Sequence, residues 1–475
     1  MLLALFGCGL PWPVLAHSFG RTYSIPVPVW MYLYGAAAAL ALSFLLIAWF
    51  ATSAAEHGTG GELDLSRTRF TGLLRRCRPV LQGLSVAGLV LAIATAWMGS
   101  PNPYVNFSMT WFWILFVLGL GYVSVIAGDV YRWLNPWQVL AQVIGRLWQG
   151  YSQGRLNYPA RWGYWPALGL YMGFIWLELE AELDVRDLGR LLLSYSLLNI
   201  LGVGLIGRRD WFRYCEFFSV FMRLFAAMAP VYLAPNQTLR LRAPFAGLVG
   251  WKAQGYSMLL FILFMLSSTA YDGLRVTVPW VELFWVDLYA ALEPWVGNEP
   301  IAAYHKMKPL HAIWSTGALL LSPLLYLGVY LLFIGATRVI TGSTMSLGEL
   351  ALRFGPSLLP IALVYHAAHY CALFITQGSK MLGLISDPFG WRWDLFGTTH
   401  LLRSNWILDA AIVWHSQLAL IVGGHIVSVY IAHLVALEIF PSRRQAALSQ
   451  LPMLGLMMLF TAGGLWILAQ PISGS

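Results

Sequence analysis

Ten histidines are present, and five of them fall inside long apolar runs. His366 and His369 lie three residues apart in Tyr365-His366-Ala367-Ala368-His369-Tyr370 and share a helix face. His415, His425 and His433 lie in the next run. An ionisable side chain inside a membrane span is costly and usually marks function. With Gln377 and Ala411 as outer helix ends, a rise of ~1.5 Å per residue puts His415 about 6 Å deep and His369 about 12 Å deep. His366 and His425 come out at about 17 and 21 Å. Two consecutive helices tend to pack together. His366, His369, His415 and His425 are therefore candidate ligands along one seam. Neutral imidazole binds metals and shuttles protons. Such a set suits a divalent transition metal (Zn, Cu or Fe) or the axial positions of a haem. It suits equally well a simple tie between helices through buried hydrogen bonds.

Carboxylates could complete this chemistry. Asp387 and Asp394 lie in the loop after His369 and are the candidate catalytic acids, able to orient water or a ligand histidine. Asp387-Pro388 also reads as turn chemistry, and Asp409 as a helix N-terminal residue. Glu178 ends an apolar run, deeper than Glu180 and Glu182, which read as a solvated rim. Asp272 follows the polar helix end Ser267–Tyr271, a place to hold an anion or cap a turn. A phosphate-binding G-x-x-x-x-G-K-[ST] loop, a G-x-S-x-G elbow and an H-E-x-x-H zinc helix are all missing. ATP-driven transport by this chain alone, covalent serine catalysis and a standard metalloprotease are unsupported.

The elements that must position these residues are membrane helices. The chain of 475 residues is 59% hydrophobic and only 11% charged, against roughly 25% charged in soluble domains. The expected fold is an all-α polytopic bundle in a single integral membrane domain, 17–475. Its ten spans are expected near Val29–Thr52, Pro79–Gly99, Met109–Ala127, Gly163–Leu179, Gly189–Gly207, Gly255–Tyr271, His311–Thr337, Phe354–Gln377, Ala411–Leu437 and Gln450–Ala469. The apolar stretch Tyr214–Leu233 carries Arg223 at its middle, so it reads as interfacial or re-entrant. With the first span starting outside, most of the 29 Lys and Arg fall in inner loops, including Arg75, Arg76, Arg208, Arg209, Arg443 and Arg444. The outer loops Asp272–Leu310 and Gly378–Ala410 are long, and the outer side is acidic. This pattern predicts a multi-pass membrane protein with its basic loops in the cytoplasm and its site opening to the outer side.

Residues 1–16 are apolar and end in Val14-Leu15-Ala16, like a secretory signal without its basic start. A cut there would leave His17 first, where a terminal amine and an imidazole can chelate copper. The net charge of +8 resides in short loops, which excludes a nucleic-acid interface. Four cysteines without a C-x-x-C pair exclude a disulfide framework.

The run Ser386–Gly397 (S-D-P-F-G-W-R-W-D-L-F-G), with His369-Tyr370 and Gln377 before it, resembles bacterial membrane proteins of the fenitrothion hydrolase type. Gln417, Gly424-His425, Ala432-His433, Ala16-His17, Ser267–Gly273, Phe217-Phe218-Ser219 and Met228-Ala229-Pro230 also resemble segments of that family. The resemblance covers most of the chain. It implies hydrolysis of an organophosphate triester, with release of a nitrophenol, by a membrane-bound enzyme of two related subunits; a divalent metal on the histidines is compatible with that chemistry, and a small apolar substrate could enter from lipid. It favours His369 and His425 as ligands over His366 and His415, which fall where the family has no histidine. His433 is followed by Leu434 where relatives carry an acidic residue. The alternative is a haem- or copper-binding redox or transport protein without hydrolase activity.

Overall fold

The computed structural model describes residues 28–54, 62–65, 68–181, 183–234, 238–403 and 408–470. The expected signal segment, His17 and Glu182 lie outside them. The described chain is an all-α membrane bundle, and nine of its described helices are long and apolar enough to cross a bilayer. In chain order the main helices are α1 (Val29–Ala54), α2 (Arg69–Met98), α3 (Phe107–Ala127), α4 (Pro136–Leu147), α5 (Trp165–Leu179), α6 (Val185–Ile206) and α7 (Phe217–Ala226). They continue with α8 (Tyr256–Arg275), α9 (278–296), α10 (Pro300–Thr341), α11 (Leu347–Gly378), α12 (Met381–Ser386), α13 (Ala410–Ile439) and α14 (Arg443–Ala469).

Loop contacts sort the helix ends onto two faces. On one face, Arg155 and Leu156 donate backbone N–H to Leu205, and Ala253 donates to Leu352. Gln445 Nε2 reaches Thr341 O there, at 3.2 Å. This face carries the arginine-rich loops and is called the basic face below. On the other, acidic face, Ser100 N–H donates to Phe389 O, and Arg275 Nη1 donates to Leu179 O. Followed from α1 to α14, the chain changes face ten times.

Nine of those crossings use the long helices. The tenth, α5, has only 15 residues. Its start is delayed because Gly163 turns with φ +45° and Pro166 sits in the first turn, where a proline costs no hydrogen bond. In contrast, α10 runs for 42 residues and starts well before the expected His311. At 42 residues it exceeds the roughly 20 that a bilayer core requires, and its first turns pack Ala303 and Met307 against Phe284 and Val296 of α9.

The stretch around Arg223 is re-entrant. Helix α7 begins and ends toward the basic face, because the strands after it return there. Strand β3 (Leu239–Leu241) pairs antiparallel with β2 (Val231–Leu233) and with β1 (Leu63–Asp64) in the α1–α2 loop. This small sheet is absent from the sequence expectation, since two- and three-residue strands leave no periodic signal. Helix α7 is buried in protein along most of its length. That is the condition under which a broken span is tolerated in lipid. Both its ends are charge-capped in the sense that suits a helix dipole. At the start, the buried Glu216 carboxylate accepts Phe218 N–H at 3.2 Å and Ser219 N–H at 2.7 Å. At the end, Arg242 donates to Ala229 O at 3.1 Å and Ala227 O at 3.0 Å. Arg223 itself turns toward the basic face, donating to Arg213 O at 2.7 Å.

Candidate functional site

Helix α11 carries the densest polar group in the membrane interior. His369 Nε2 lies 2.8 Å from Asp272 Oδ2. Tyr370 donates its hydroxyl to the same carboxylate oxygen at 3.0 Å, and Arg275 Nε faces Oδ1 at 3.4 Å. Asp272 is only 2% exposed, so its carboxyl oxygens are satisfied chiefly by neighbouring side chains such as these. The pairing joins two helices, α8 and α11, whose partner residues are 97 positions apart. Asp272 and Arg275 are one helical turn apart on α8, where α8 reaches the acidic face. His369 and Tyr370 sit two turns below the end of α11.

More polar groups surround this pair. The single Tyr271 hydroxyl proton is shared between Glu180 Oε1 at 2.8 Å and Ser315 O at 3.1 Å. Glu180 is thus half-buried and engaged, where a solvated rim was expected. Burial pushes its carboxyl above the ordinary range, against the opposing pull of Tyr271 and Arg275. Trp176 Nε1 donates to Thr316 Oγ1 at 2.9 Å and ties α5 to α10 beside it. On the inner side of the pair, His366 Nδ1 faces the Tyr122 hydroxyl of α3 at 3.4 Å. The His366 ring is enclosed by Tyr370, Phe221 and Phe225, with centroids 5.0 to 5.9 Å away. Two of those rings belong to the re-entrant α7, which brings that helix to within one side chain of the Asp272–His369 pair.

The neighbouring α13 does pack on α11, as expected from chain order. Gly424 lies against Val364 so closely that a Cβ has no room there, and Gln417 Nε2 donates to Ala368 O at 2.9 Å. Its histidines nevertheless point elsewhere. His425 is fully buried, donates Nδ1–H to Ile421 O at 2.8 Å and stands edge-on to Tyr365, with centroids 5.8 Å apart. Among the described residues its Nε2 has no hydrogen-bond partner. His433 is buried two turns further along, with neither ring nitrogen bonded among the described residues. His415 is exposed, bonds its own helix at Ala411 O and lines a shallow surface pocket with Ile412 and Ser416. So the four candidate histidines divide into the pair His366 and His369, a separate His425, and an outward His415. Among the described residues, no three of His, Cys, Asp and Glu converge to hold a metal ion.

Asp387 and Asp394 shape their own loop. The Asp387 carboxylate accepts Trp391 N–H at 2.9 Å and Arg392 N–H at 2.7 Å. Asp394 Oδ1 accepts Ser386 Oγ–H at 3.0 Å and Thr399 N–H at 3.2 Å. The second of these bonds, above all, holds the Asp394 carboxyl below its ordinary range.

The carboxylate that meets a histidine is thus Asp272, which spacing marked only as a helix end. A buried acidic residue inside an apolar run was its available signal. Its partner, nearly a hundred residues away, leaves no trace in one sequence. Comparison with family descriptions, curated proteins and solved structures finds no match to this chain.

Proposed function

We propose that the chain is a membrane-bound hydrolase of small apolar organophosphate triesters, with His369 as general base and Asp272 as its orienting partner. The observation that carries this reading is the 2.8 Å contact between His369 Nε2 and the buried Asp272 carboxylate. The carboxylate favours the tautomer with its proton on Nε2, which puts the imidazole lone pair on Nδ1. A water delivered to Nδ1 gives up a proton there as its oxygen attacks phosphorus. The bond from phosphorus to the aryl oxygen breaks, and the nitrophenolate leaves without needing a strong acid. The dialkyl phosphate is the second product, and His369 returns its proton to solvent. Tyr370 and Arg275 hold the carboxylate in place.

The resemblance of Ser386–Gly397 to the fenitrothion hydrolase type supports the substrate class. An apolar triester would reach the site from lipid. The arginine-rich face supports an orientation with that face in the cytoplasm of a bacterial inner membrane and the site toward the periplasm. The resemblance also motivates a homologous partner subunit. The described residues offer a divalent metal two donors, Asp272 and His369, already joined to each other. They do not make a ligand set, and no step above uses a metal.

In nanodiscs, alone and co-expressed with a homologous neighbour, the protein should release nitrophenolate from a nitrophenyl dialkyl phosphorothioate. His369→Gln should abolish this release. An unchanged rate in that variant overturns the reading. A second reading, a haem- or copper-binding redox or transport protein, is favoured by the enclosed Nε2 of His425, which has no partner among the described residues. A Soret band or bound copper that is lost in His425→Ala, without esterase activity, would establish it instead.

A further inference from the structure

Residues 386–397, after α12, form a closely hydrogen-bonded turn that presents large apolar side chains outward. Trp391, Trp393, Leu395 and Phe396 are 47%, 40%, 60% and 67% exposed. They do not hang from a loose segment. Phe389 stacks on Trp391 at 4.5 Å, and Trp391 meets Trp393 edge-on at 5.2 Å. Arg392 adopts a left-handed backbone, φ +68°, which a side chain other than glycine enters at a cost. The two oxygens of Asp387 hold it there by accepting consecutive N–H groups. Ser386 Oγ links Asp394 to Phe396 N–H and closes the far end of the turn. Backbone bonds from Ser100 and Phe107 fasten the loop to the α2–α3 connection.

What covers these side chains follows from where the chain puts them. Helix α12 starts three residues after α11 ends, and the chain leads on into α13, so the segment lies between two span ends at the acidic face. Its apolar exposure continues that of the spans: Ile375 on α11, Leu382 and Ile385 on α12, and Ile412 on α13 are all exposed. Tryptophan flanked by arginine is the composition of the headgroup zone, where an indole ring has one apolar and one wet side. We propose that residues 386–397 form an interfacial anchor, seated among phospholipid headgroups of the leaflet at the acidic face, with Arg392 directed to a lipid phosphate. Asp387 and Asp394 are positioning residues for this anchor.

The test is a nitroxide at Phe396→Cys in nanodiscs of phosphatidylcholine and phosphatidylglycerol, read against the parent protein labelled in parallel. Power saturation with oxygen, which concentrates in lipid, and with a water-soluble nickel chelate gives the depth. High oxygen and low nickel access is the expected result. Adding Arg392→Gln should then raise nickel access. High nickel access in the single variant places the loop in water and overturns the proposal. Protection from both reagents means that protein covers the loop, a second copy or a partner subunit, and overturns it too.

Discussion

Removing the Asp272 carboxylate tests whether the His369 contact holds the bundle together as well as defining its site. Asp272→Ala deprives His369, Tyr370 and Arg275 of one shared acceptor. A hydrogen bond to a charged group contributes about 1.5 to 3 kcal/mol, and stripping one partner from a buried ion pair costs about 3 to 5 kcal/mol. The Arg275 contact is long, at 3.4 Å, and the guanidinium side is 29% exposed, so water recovers part of its loss. The expected cost is therefore about 3 kcal/mol, at the lower end of that range. His369→Ala should cost about 2 kcal/mol, and the double variant less than the sum, with a coupling of about 1.5 to 3 kcal/mol. Reversible unfolding from mixed micelles into SDS, followed by circular dichroism, gives all four free energies. A coupling below about 0.5 kcal/mol, the ordinary scatter for independent sites, would show that the two groups do not bond.

Three further outcomes follow from other parts of the fold. Gly424→Ala should destabilise the protein by about 1 to 3 kcal/mol in the same assay, because Val364 leaves no space for a methyl group between α11 and α13. Glu216→Ala should cost about 3 kcal/mol, since it uncaps α7, takes the acceptor from the part-buried Tyr195 hydroxyl and leaves the buried Asn135 amide only its longer contact to Ser219 Oγ; Glu216→Gln should recover part of this. For Asp394, the folded carboxyl titrates below its ordinary value, so its contribution is present above that value and is lost as pH falls through the lowered one. Amide exchange across 394–400, corrected for intrinsic rates, should accelerate as pH falls below about 4 in the parent. In Asp394→Asn it should already be fast at neutral pH.

Spans were legible because a bilayer demands some twenty apolar residues and the arginines mark one side of it. Arg223 identified the re-entrant stretch for the same reason, since the cost of its charge ruled out a crossing. The packing of α11 on α13 followed from chain order. The facing of their histidines did not. Helix α13 is apolar all round, so no periodic stripe says which way His415 or His425 turns. Gly424 and Gln417 set that rotation, through contacts with Val364 and Ala368 that only coordinates reveal. Asp387 and Asp394 drew attention as acids near a histidine helix, yet backbone amides within their own loop use them up. Asp272 had the opposite fate, because its partner arrives from a distant helix.

The re-entrant helix also bears on how the molecule can be assembled. Its walls include α3 and α5, made before it, and α11, made long after. The hairpin that follows it is stitched to a strand from the α1–α2 loop. The setting of α7 is therefore complete only once α11 has been made, so residues from the last third of the chain close around residues from its middle third.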